Sequence, residues 1–247
     1  MEINLSAVDF FYGKHQILKS LSANFTPGKL HGICGPNGSG KSTLVKIITG
    51  ELKPASGSVT PRFTSPASRA RTITVFQQEI PRSLPLTAGE IIQLGRYPWP
   101  DGNNDQAVID EAIARLDLQS LIDKPYNHLS GGERQRVLLG KALAQDTEIL
   151  IFDEPENSLD IQHRIKFYEL MKHLTAQEKC VIVITHDLFL APSYLDKILL
   201  LAQGEVVGQG GVDEILQEKN ILRSFNCTIP NTARYQPKLR INNPIQD

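Results

Sequence analysis

Strand-length runs of apolar residues recur along the chain and predict its sheets. The first run, residues 3–11, alternates loosely between apolar and polar positions. Residues 180–185, with the sequence CVIVIT, are apolar almost throughout, which predicts a parallel strand buried on both faces. Strands are predicted at residues 3–11, 17–25, 29–34, 73–76, 148–154 and 180–185, and a hairpin at 198–202 with 205–208.

Helical spacing of apolar residues follows several of these strands. Thr87 and Glu90 form a capping-box pattern at the start of a helix over residues 87–96, and Asp160 is the expected N-cap of a later helix. Strand signals are absent from about residue 81 to 145, which predicts a helical insertion. Further helices are predicted at 44–49, 105–118, 212–216 and 220–225, and the core face after Asp160 is expected to include Ile161, Ile165, Tyr168 and Met171.

A glycine-rich stretch joins the predicted strand 29–34 to the helix 44–49. It fits the phosphate-loop pattern G-x-x-x-x-G-K-[ST] in the strand–loop–helix context that the pattern requires. Successive backbone N–H groups would form an anion nest at the helix N-terminus, with Lys41 reaching the phosphates and Ser42 ligating Mg²⁺. The alternative is a glycine-rich turn before an ordinary helix. The stretch consists of Gly35, Pro36, Asn37, Gly38, Ser39, Gly40, Lys41, Ser42 and Thr43.

A second stretch, residues 129–135 with the sequence LSGGERQ, also predicts a helix N-terminus. Ser130 and Glu133 form another capping box, but Gly131 and Gly132 occupy the first turn. Each glycine costs a helix about 1 kcal/mol relative to alanine. The two glycines are explained if a ligand, most naturally an anion, must approach the backbone N–H groups closely. The chain therefore carries two helix N-termini suited to phosphate.

Acidic residues, a histidine and a glutamine pair follow three predicted strands. Asp153 and Glu154 end a buried strand, where Asp153 would hold Mg²⁺ and Glu154 would act as general base towards water. His186 follows another core strand, at the edge where open α/β sheets bind ligands. Gln77, which follows residues 73–76, would either lie on the surface or place its amide near the γ-phosphate. A structural cap is the alternative for the two acids.

Composition restricts the classes of partner. The 247 residues carry a formal net charge of −1, which provides no argument for nucleic-acid binding. No signal-peptide pattern is visible, and no apolar run approaches the roughly 20 residues that span a bilayer. A membrane function would therefore need another subunit. The cysteines, Cys34, Cys180 and Cys227, lie far apart and are expected to be reduced.

Together, in this order, the motifs resemble the ATP-binding cassette (ABC) family over nearly the whole chain to about residue 226. The resemblance implies an α/β fold: a P-loop NTPase core with a mixed sheet, an N-terminal antiparallel β lobe and an inserted α-helical subdomain at about 81–145. It implies one domain, residues 1–226, and an irregular tail, 227–247. The motifs that carry it are Tyr12, residues 35–43, Gln77, residues 129–135, Asp153-Glu154, Ser158-Leu159-Asp160 and His186.

The resemblance also implies the residue roles. ATP would lie between the phosphate loop of one subunit and residues Ser130, Gly131, Gly132 and Glu133 of the other, with Asp160 contacting that subunit. Tyr12 would stack on adenine, although its position alone favours a half-buried strand-end tyrosine. Mg²⁺ would be bound by Ser42, Gln77 and Asp153. The residues that take part in hydrolysis would be Lys41, Gln77, Glu154 and His186. Gln78 is the alternative to Gln77.

The implied partners are a second copy or a paired ATPase subunit, two integral membrane permeases and, indirectly, a substrate-binding protein. The implied location is peripheral, on the cytoplasmic face of the inner membrane. Residues 94–99, LGRYPW, resemble the importer branch for iron–siderophore, haem or cobalamin complexes. Alternatives are a zinc, manganese or molybdate importer, or a soluble cassette such as one for iron–sulfur cluster assembly. Trp99 either packs under its own loop or contacts a partner.

Overall fold

A six-stranded sheet forms the centre of the molecule, in the order β5-β6-β7-β3-β8-β9. The computed structural model describes residues 1–76, 85–99, 102, 105–155 and 159–225. All neighbouring strands pair in parallel except β8 and β9, which form an antiparallel hairpin. The strands are β3 (Leu30–Cys34), β5 (Ile73–Phe76), β6 (Ile149–Asp153), β7 (Cys180–Ile184), β8 (Lys197–Ala202) and β9 (Glu205–Gly210).

A second, antiparallel sheet of three strands lies against the first, in the order β2-β1-β4. It consists of β1 (Ile3–Tyr12), β2 (His15–Phe25) and β4 (Ser56–Thr60). The sequence analysis missed β4, because only Val59 of its five residues is buried and the strand has no apolar periodicity. This sheet is the antiparallel lobe that the family resemblance implies.

The helices pack around the parallel sheet, and α3 and α4 pack against α5 to form the insertion. The polar helix α2 was missed because none of its residues is buried; Ser65 caps it and Pro66 begins it. The helices are α1 (Lys41–Ile48), α2 (Pro66–Thr72), α3 (Ala88–Gln93), α4 (Asp105–Arg115), α5 (Gly131–Ala144), α6 (Ile161–Ala176), α7 (Val212–Ile215) and α8 (Glu218–Phe225).

Two hydrophobic cores lie on opposite faces of the parallel sheet, which explains the unbroken apolar runs. Along β6, Ile149 and Ile151 face the core shared with α1 and the antiparallel sheet. Leu150 and Phe152 face the core shared with α3, α5 and α6. Because both faces are covered, alternation between apolar and polar residues is not required.

Several predicted boundaries and faces differ from the structure. The helix predicted at 105–118 ends at Arg115, because Asp117 takes a left-handed backbone (φ 52°) and Leu118 N–H donates to the carbonyl of Ile113. The helix predicted at 87–96 is α-helical only to Gln93 and continues as a 3-10 turn. Ile161 was wrongly placed in the core: it is 59% exposed, in the first turn of α6.

The lone tryptophan is held within the chain. The Trp99 indole N–H donates to the carbonyl of Gln145 (2.8 Å), and the guanidinium groups of Arg71 and Arg96 lie over its ring. The ring thus joins two distant positions of the insertion, and it also contacts Arg71 of α2 outside the insertion. Among the described helices, none combines the length and apolarity needed to cross a bilayer.

Candidate functional site

The phosphate-loop residues connect β3 to α1 and are braced by the β8–β9 hairpin. A Cβ atom at Gly35 would lie 2.2 Å from the carbonyl oxygen of Leu201, so only glycine allows this close approach. The N–H of Gly204, in the hairpin turn, donates to the carbonyl of Ser39 (3.2 Å). Asn37 and Gly38 are exposed at the tip of the loop. The hairpin therefore fixes the base of the loop and leaves its tip open.

The N-terminus of α1 is prepared for an anion. Gly40 precedes the helix with φ 104°, provides no side-chain cap, and is followed by a first turn without an acidic residue. Unpaired N–H groups at a helix start carry a partial positive charge. The Ser39 hydroxyl is buried and has no hydrogen-bond partner among the described residues. Ser42 is exposed at the same turn, whereas Thr43 is buried.

Lys41 places a nearly buried ammonium group in the same loop. Its Nζ donates to the carbonyls of Gly35 (2.9 Å) and Pro36 (3.0 Å). Burial lowers the pKa of Lys41, and the nearby carboxylates of Glu154 and Asp153 act in the opposite direction. A cation that donates to two neutral loop carbonyls, beside an uncapped helix start, fits a phosphate group.

Asp153, the last residue of β6, and Glu154, directly after it, lie near enough to Lys41 to interact with its charge. Burial raises the pKa of Asp153; the neighbouring charge of Glu154 raises it further, and Lys41 and His186 oppose the rise. Glu154 has a left-handed backbone (φ 48°), and its N–H donates to the carbonyl of Ile184 at the end of β7. The structure thus brings Lys41, Asp153, Glu154 and His186 together.

His186 and Glu154 form a direct pair. His186 Nε2 lies 2.6 Å from Glu154 Oε1, and both side chains are about one-third exposed (36% and 32%). Exposure leaves both groups accessible to a molecule bound at the loop. Of the three residues predicted to bind Mg²⁺, the structure describes Ser42 and Asp153, whose oxygen atoms are of the kind that Mg²⁺ prefers. Gln77, the third predicted metal residue, and Gln78 lie outside the described residues.

The LSGGERQ stretch forms the predicted capping box at α5. The Ser130 hydroxyl accepts from Glu133 N–H (3.3 Å), and Glu133 Oε2 accepts from Ser130 N–H (2.7 Å). The hydrogen bond from the Ser130 backbone lowers the pKa of Glu133. These two bonds leave the N–H groups of Gly131 and Gly132 outside the box, and a Cβ at either glycine would meet no atom within 4 Å.

The α5 N-terminus opens into a cleft of about 200 Å³ that it shares with the start of α6. Asp160 caps α6, its Oδ1 accepting from the backbone N–H and the ring Nδ1 of His163 (both 2.9 Å). These bonds, the backbone one foremost, lower the pKa of Asp160. None of the lining residues belongs to the phosphate-loop group; they are Ser130, Gly132, Glu133, Arg136, Leu159, Asp160 and His163.

Tyr12 ends β1 at the turn into β2. Its ring makes an edge contact with Phe10 (4.9 Å between centroids), and 48% of the residue is exposed. The half-exposed ring is compatible with either sequence interpretation, strand-end packing or base stacking. The sequence analysis did not single out Arg164, which contacts Leu159 and Asp187 next to the predicted site residues. A single sequence contains no signal for either contact.

A protein-family model and several proteins of known name match this chain. A family model described as ABC transporter matches residues 18–157. A protein of Thermobifida fusca named hemin import ATP-binding protein HmuV is 34% identical over 84% of this chain and 76% of its own length. The achromobactin transport ATP-binding protein CbrD of Dickeya dadantii is 34% identical over 87% of this chain and 84% of its own.

One solved structure adds information on assembly. It is a dimeric ATP-binding cassette in a post-hydrolysis state, bound to ADP and Pi. It is 29% identical to this chain, with a TM-score of 0.73, and the match covers 85% of this chain and 98% of that one.

Proposed function

This chain belongs to the ABC transporter family and is an ATPase coupled to transport; on that premise we propose that it powers an importer for iron-chelate type substrates. A siderophore, haem or cobalamin would pass through separate membrane subunits. Two relatives support the cargo class, since one is named for hemin import and the other for achromobactin transport. The cargo itself would not touch this chain.

The phosphate loop is proposed to hold the ATP triphosphate. The uncapped N-terminus of α1 supplies backbone N–H groups, and Ser39 supplies a buried hydroxyl. Lys41 Nζ would exchange its bonds to Gly35 and Pro36 for phosphate oxygens, which are stronger partners because they are charged. Tyr12 would stack on the adenine through its exposed ring.

Hydrolysis is assigned to the pair at the ends of β6 and β7. Glu154 would take the proton of the attacking water, and His186 would hold the γ-phosphate. Their mutual contact of 2.6 Å must open for both roles, so a bound γ-phosphate would draw His186 away from the carboxylate. The carboxylate would then be free to orient water.

A magnesium ion is the expected companion of ATP, and the donor set fits it. The oxygen atoms of Ser42 and Asp153 belong to the hard ligands that Mg²⁺ prefers. When bound, the ion would offset the charge of the phosphate oxygens. Loss of the Asp153 proton is favoured by such a charge, which opposes the burial that raises its pKa.

One observation supports a shared nucleotide most strongly: the cleft of Ser130, Gly132 and Asp160 is lined by none of the phosphate-loop residues. Two anion-ready helix starts in one chain are explained if each ATP lies between two copies. The N–H groups of Gly131 and Gly132 would contact the nucleotide held by the other copy, and Asp160 would contact that copy. A different ATPase subunit paired with this chain would fill the same role as the second copy.

The remaining partners follow from the importer assignment. Two integral membrane permeases would carry the cargo, and a substrate-binding protein would deliver it. This chain would sit peripherally on the cytoplasmic face of the inner membrane. Gln77 and the insertion, about residues 81–145, would transmit closure of the dimer to the permeases. The domain would comprise residues 1–226, with 227–247 as a tail.

Uptake assays test the proposal. Cells that lack this chain would be supplied with ferric siderophores, haem or cobalamin, and complemented with the wild-type chain or Glu154→Gln. We expect uptake of one of these compounds only with the wild type, and co-purification of the chain with an integral membrane protein. Restored zinc, manganese or molybdate uptake instead would overturn the cargo class. Normal function without any membrane partner would favour a soluble cassette.

A further inference from the structure

Arg164, in the first turn of α6, bridges two segments that carry proposed site residues. Its Nε donates to the carbonyl oxygen of Leu159 (3.0 Å), and its Nη1 lies 3.7 Å from Oδ2 of Asp187. The side chains are partly shielded, with 33% of Arg164 and 14% of Asp187 exposed. Shielding from water makes such a charge pair more effective than a pair on an open surface.

The first segment leads to Asp160. Leu159 is 6% exposed, packs into the helical core and lines the cleft at the start of α5. The bond from Arg164 to the Leu159 carbonyl therefore fixes the peptide directly before Asp160. The backbone N–H of Arg164 also donates to the carbonyl of Asp160 (2.9 Å). Movement of this segment would pull on the arginine.

The second segment contains His186. The Oδ1 atom of Asp187 accepts the N–H groups of Phe189 (2.9 Å) and Leu190 (2.8 Å), and Asp187 N–H donates to the Thr185 hydroxyl (2.9 Å). Asp187 thus organises the turn that follows β7, and its second carboxylate oxygen faces Arg164. A shift of Asp187 must carry its neighbour His186 with it.

We propose that Arg164 is a positioning residue that transmits the position of the Asp160 segment to His186. This proposal rests on the proposed function, in which Asp160 contacts the other copy and His186 the γ-phosphate. When the second copy docks on Asp160, the Arg164–Asp187 pair aligns His186 for its contact with the γ-phosphate in the same chain. Hydrolysis in one site thereby depends on the contact made by the other copy.

The matched variants are Arg164→Ala, Asp187→Asn and their double mutant. Asparagine keeps the Oδ1 acceptor for Phe189 and Leu190 but removes the charge that faces Arg164. Lys166→Ala is the control, because Lys166 lies on the same helix but pairs with Asp117 (3.1 Å), and both of these side chains are exposed. Steady-state ATPase rates, ATP affinity and thermal unfolding would be measured for each full-length variant.

We expect Arg164→Ala to lower kcat roughly 10- to 100-fold, as misplacement of a reacting group does, with the KM for ATP within about twofold of wild type. Asp187→Asn should act similarly, the double mutant should be no worse than the single ones, and Arg164→Lys should recover part of the rate. Lys166→Ala should keep the native rate. The proposal would be overturned by a native kcat in Arg164→Ala, or by a double mutant whose loss of kcat is the sum of the two single losses. It would also be overturned if each loss of rate only matched the loss of folded protein. A wild-type chain that does not hydrolyse ATP would instead refute the proposed function.

Discussion

The imidazole of His186 lies 2.6 Å from the carboxylate of Glu154, Nε2 to Oε1, although the residues are 32 positions apart. Adjacent parallel strands bring them together, because β6 ends at Asp153 and β7 at Ile184. The contact joins the proposed general base to the proposed γ-phosphate ligand. We therefore expect nucleotide binding to rearrange this contact.

Replacing Glu154 with glutamine tests the general base. We expect Glu154→Gln to keep ATP affinity but to lower turnover by roughly 100-fold or more, because an amide cannot accept the proton of water. The amide keeps the size of the side chain and a hydrogen bond to His186. Phosphate release and equilibrium nucleotide binding would measure the two properties. Native turnover in this variant would remove Glu154 from the role.

Lys41→Ala tests the phosphate loop. The variant loses a cation that is 7% exposed and donates to the loop carbonyls of Gly35 and Pro36, so nucleotide affinity should fall strongly. Lys46→Ala is the matched control, because Lys46 lies exposed on the same helix. Fluorescent-nucleotide titration would compare them. Equal affinities for both variants would show that Lys41 does not bind the phosphates.

Gly131→Ala separates folding from function at the start of α5. A Cβ at this position meets no atom of the chain within 4 Å, and alanine stabilises helices by up to about 1 kcal/mol over glycine. We expect an unchanged or slightly higher melting temperature. Hydrolysis should nevertheless fall, because the methyl group would intrude on the nucleotide held by the other copy.

ATP affinity of the isolated Gly131→Ala chain is the internal control, and it should match the wild type. Unimpaired hydrolysis with this variant would mean that no nucleotide approaches the two glycines. A large loss of stability would mean that the added methyl group meets the chain itself.

His31 should make stability sensitive to acid. The ring is 1% exposed in β3, and burial, with Lys197 adding to it, lowers its pKa despite the hydrogen bond to Thr26. The unfolded chain, with a histidine pKa of about 6.5, therefore binds a proton that the folded chain resists. The contribution of His31 to the free energy of unfolding is fully present above about pH 6.5. It is lost as the pH falls from there towards the pKa of the folded chain.

Thermal unfolding at mildly alkaline and mildly acidic pH would measure this effect. In His31→Gln the decline on acidification should be smaller than in the wild type, because glutamine takes up no proton. Parallel declines in the two proteins would assign the acid sensitivity to other groups.

The sequence predicted most of the parallel sheet because both of its faces are covered. Runs such as β7 then consist of apolar residues throughout, and the glycine loop after β3 has a fixed pattern. The strand β4 and the helix α2 were not predicted. β4 buries one residue and α2 buries none, so neither has a periodic pattern of apolar residues in the sequence. Ile161 was misplaced because a helical period alone does not show where the first turn leaves the core.

Contacts between distant segments were the second gap. The motifs indicated Glu154 and His186 separately, and only the strand order shows that they touch. The pair of Arg164 and Asp187 joins a helix start to a loop, for which a single sequence contains no signal. The capping boxes at Thr87 and Ser130 were predicted correctly, because capping depends on residues three positions apart.

The central claim is that each triphosphate is held by two copies of the chain. A crystal structure of Glu154→Gln with ATP and Mg²⁺ tests it most directly. We predict that Lys41 of one copy and Ser130 of the other will contact the same triphosphate, with Gly131 and Gly132 N–H groups facing its γ-phosphate. A nucleotide contacted by Lys41 of one copy alone, with no second copy at its γ-phosphate, would contradict the account.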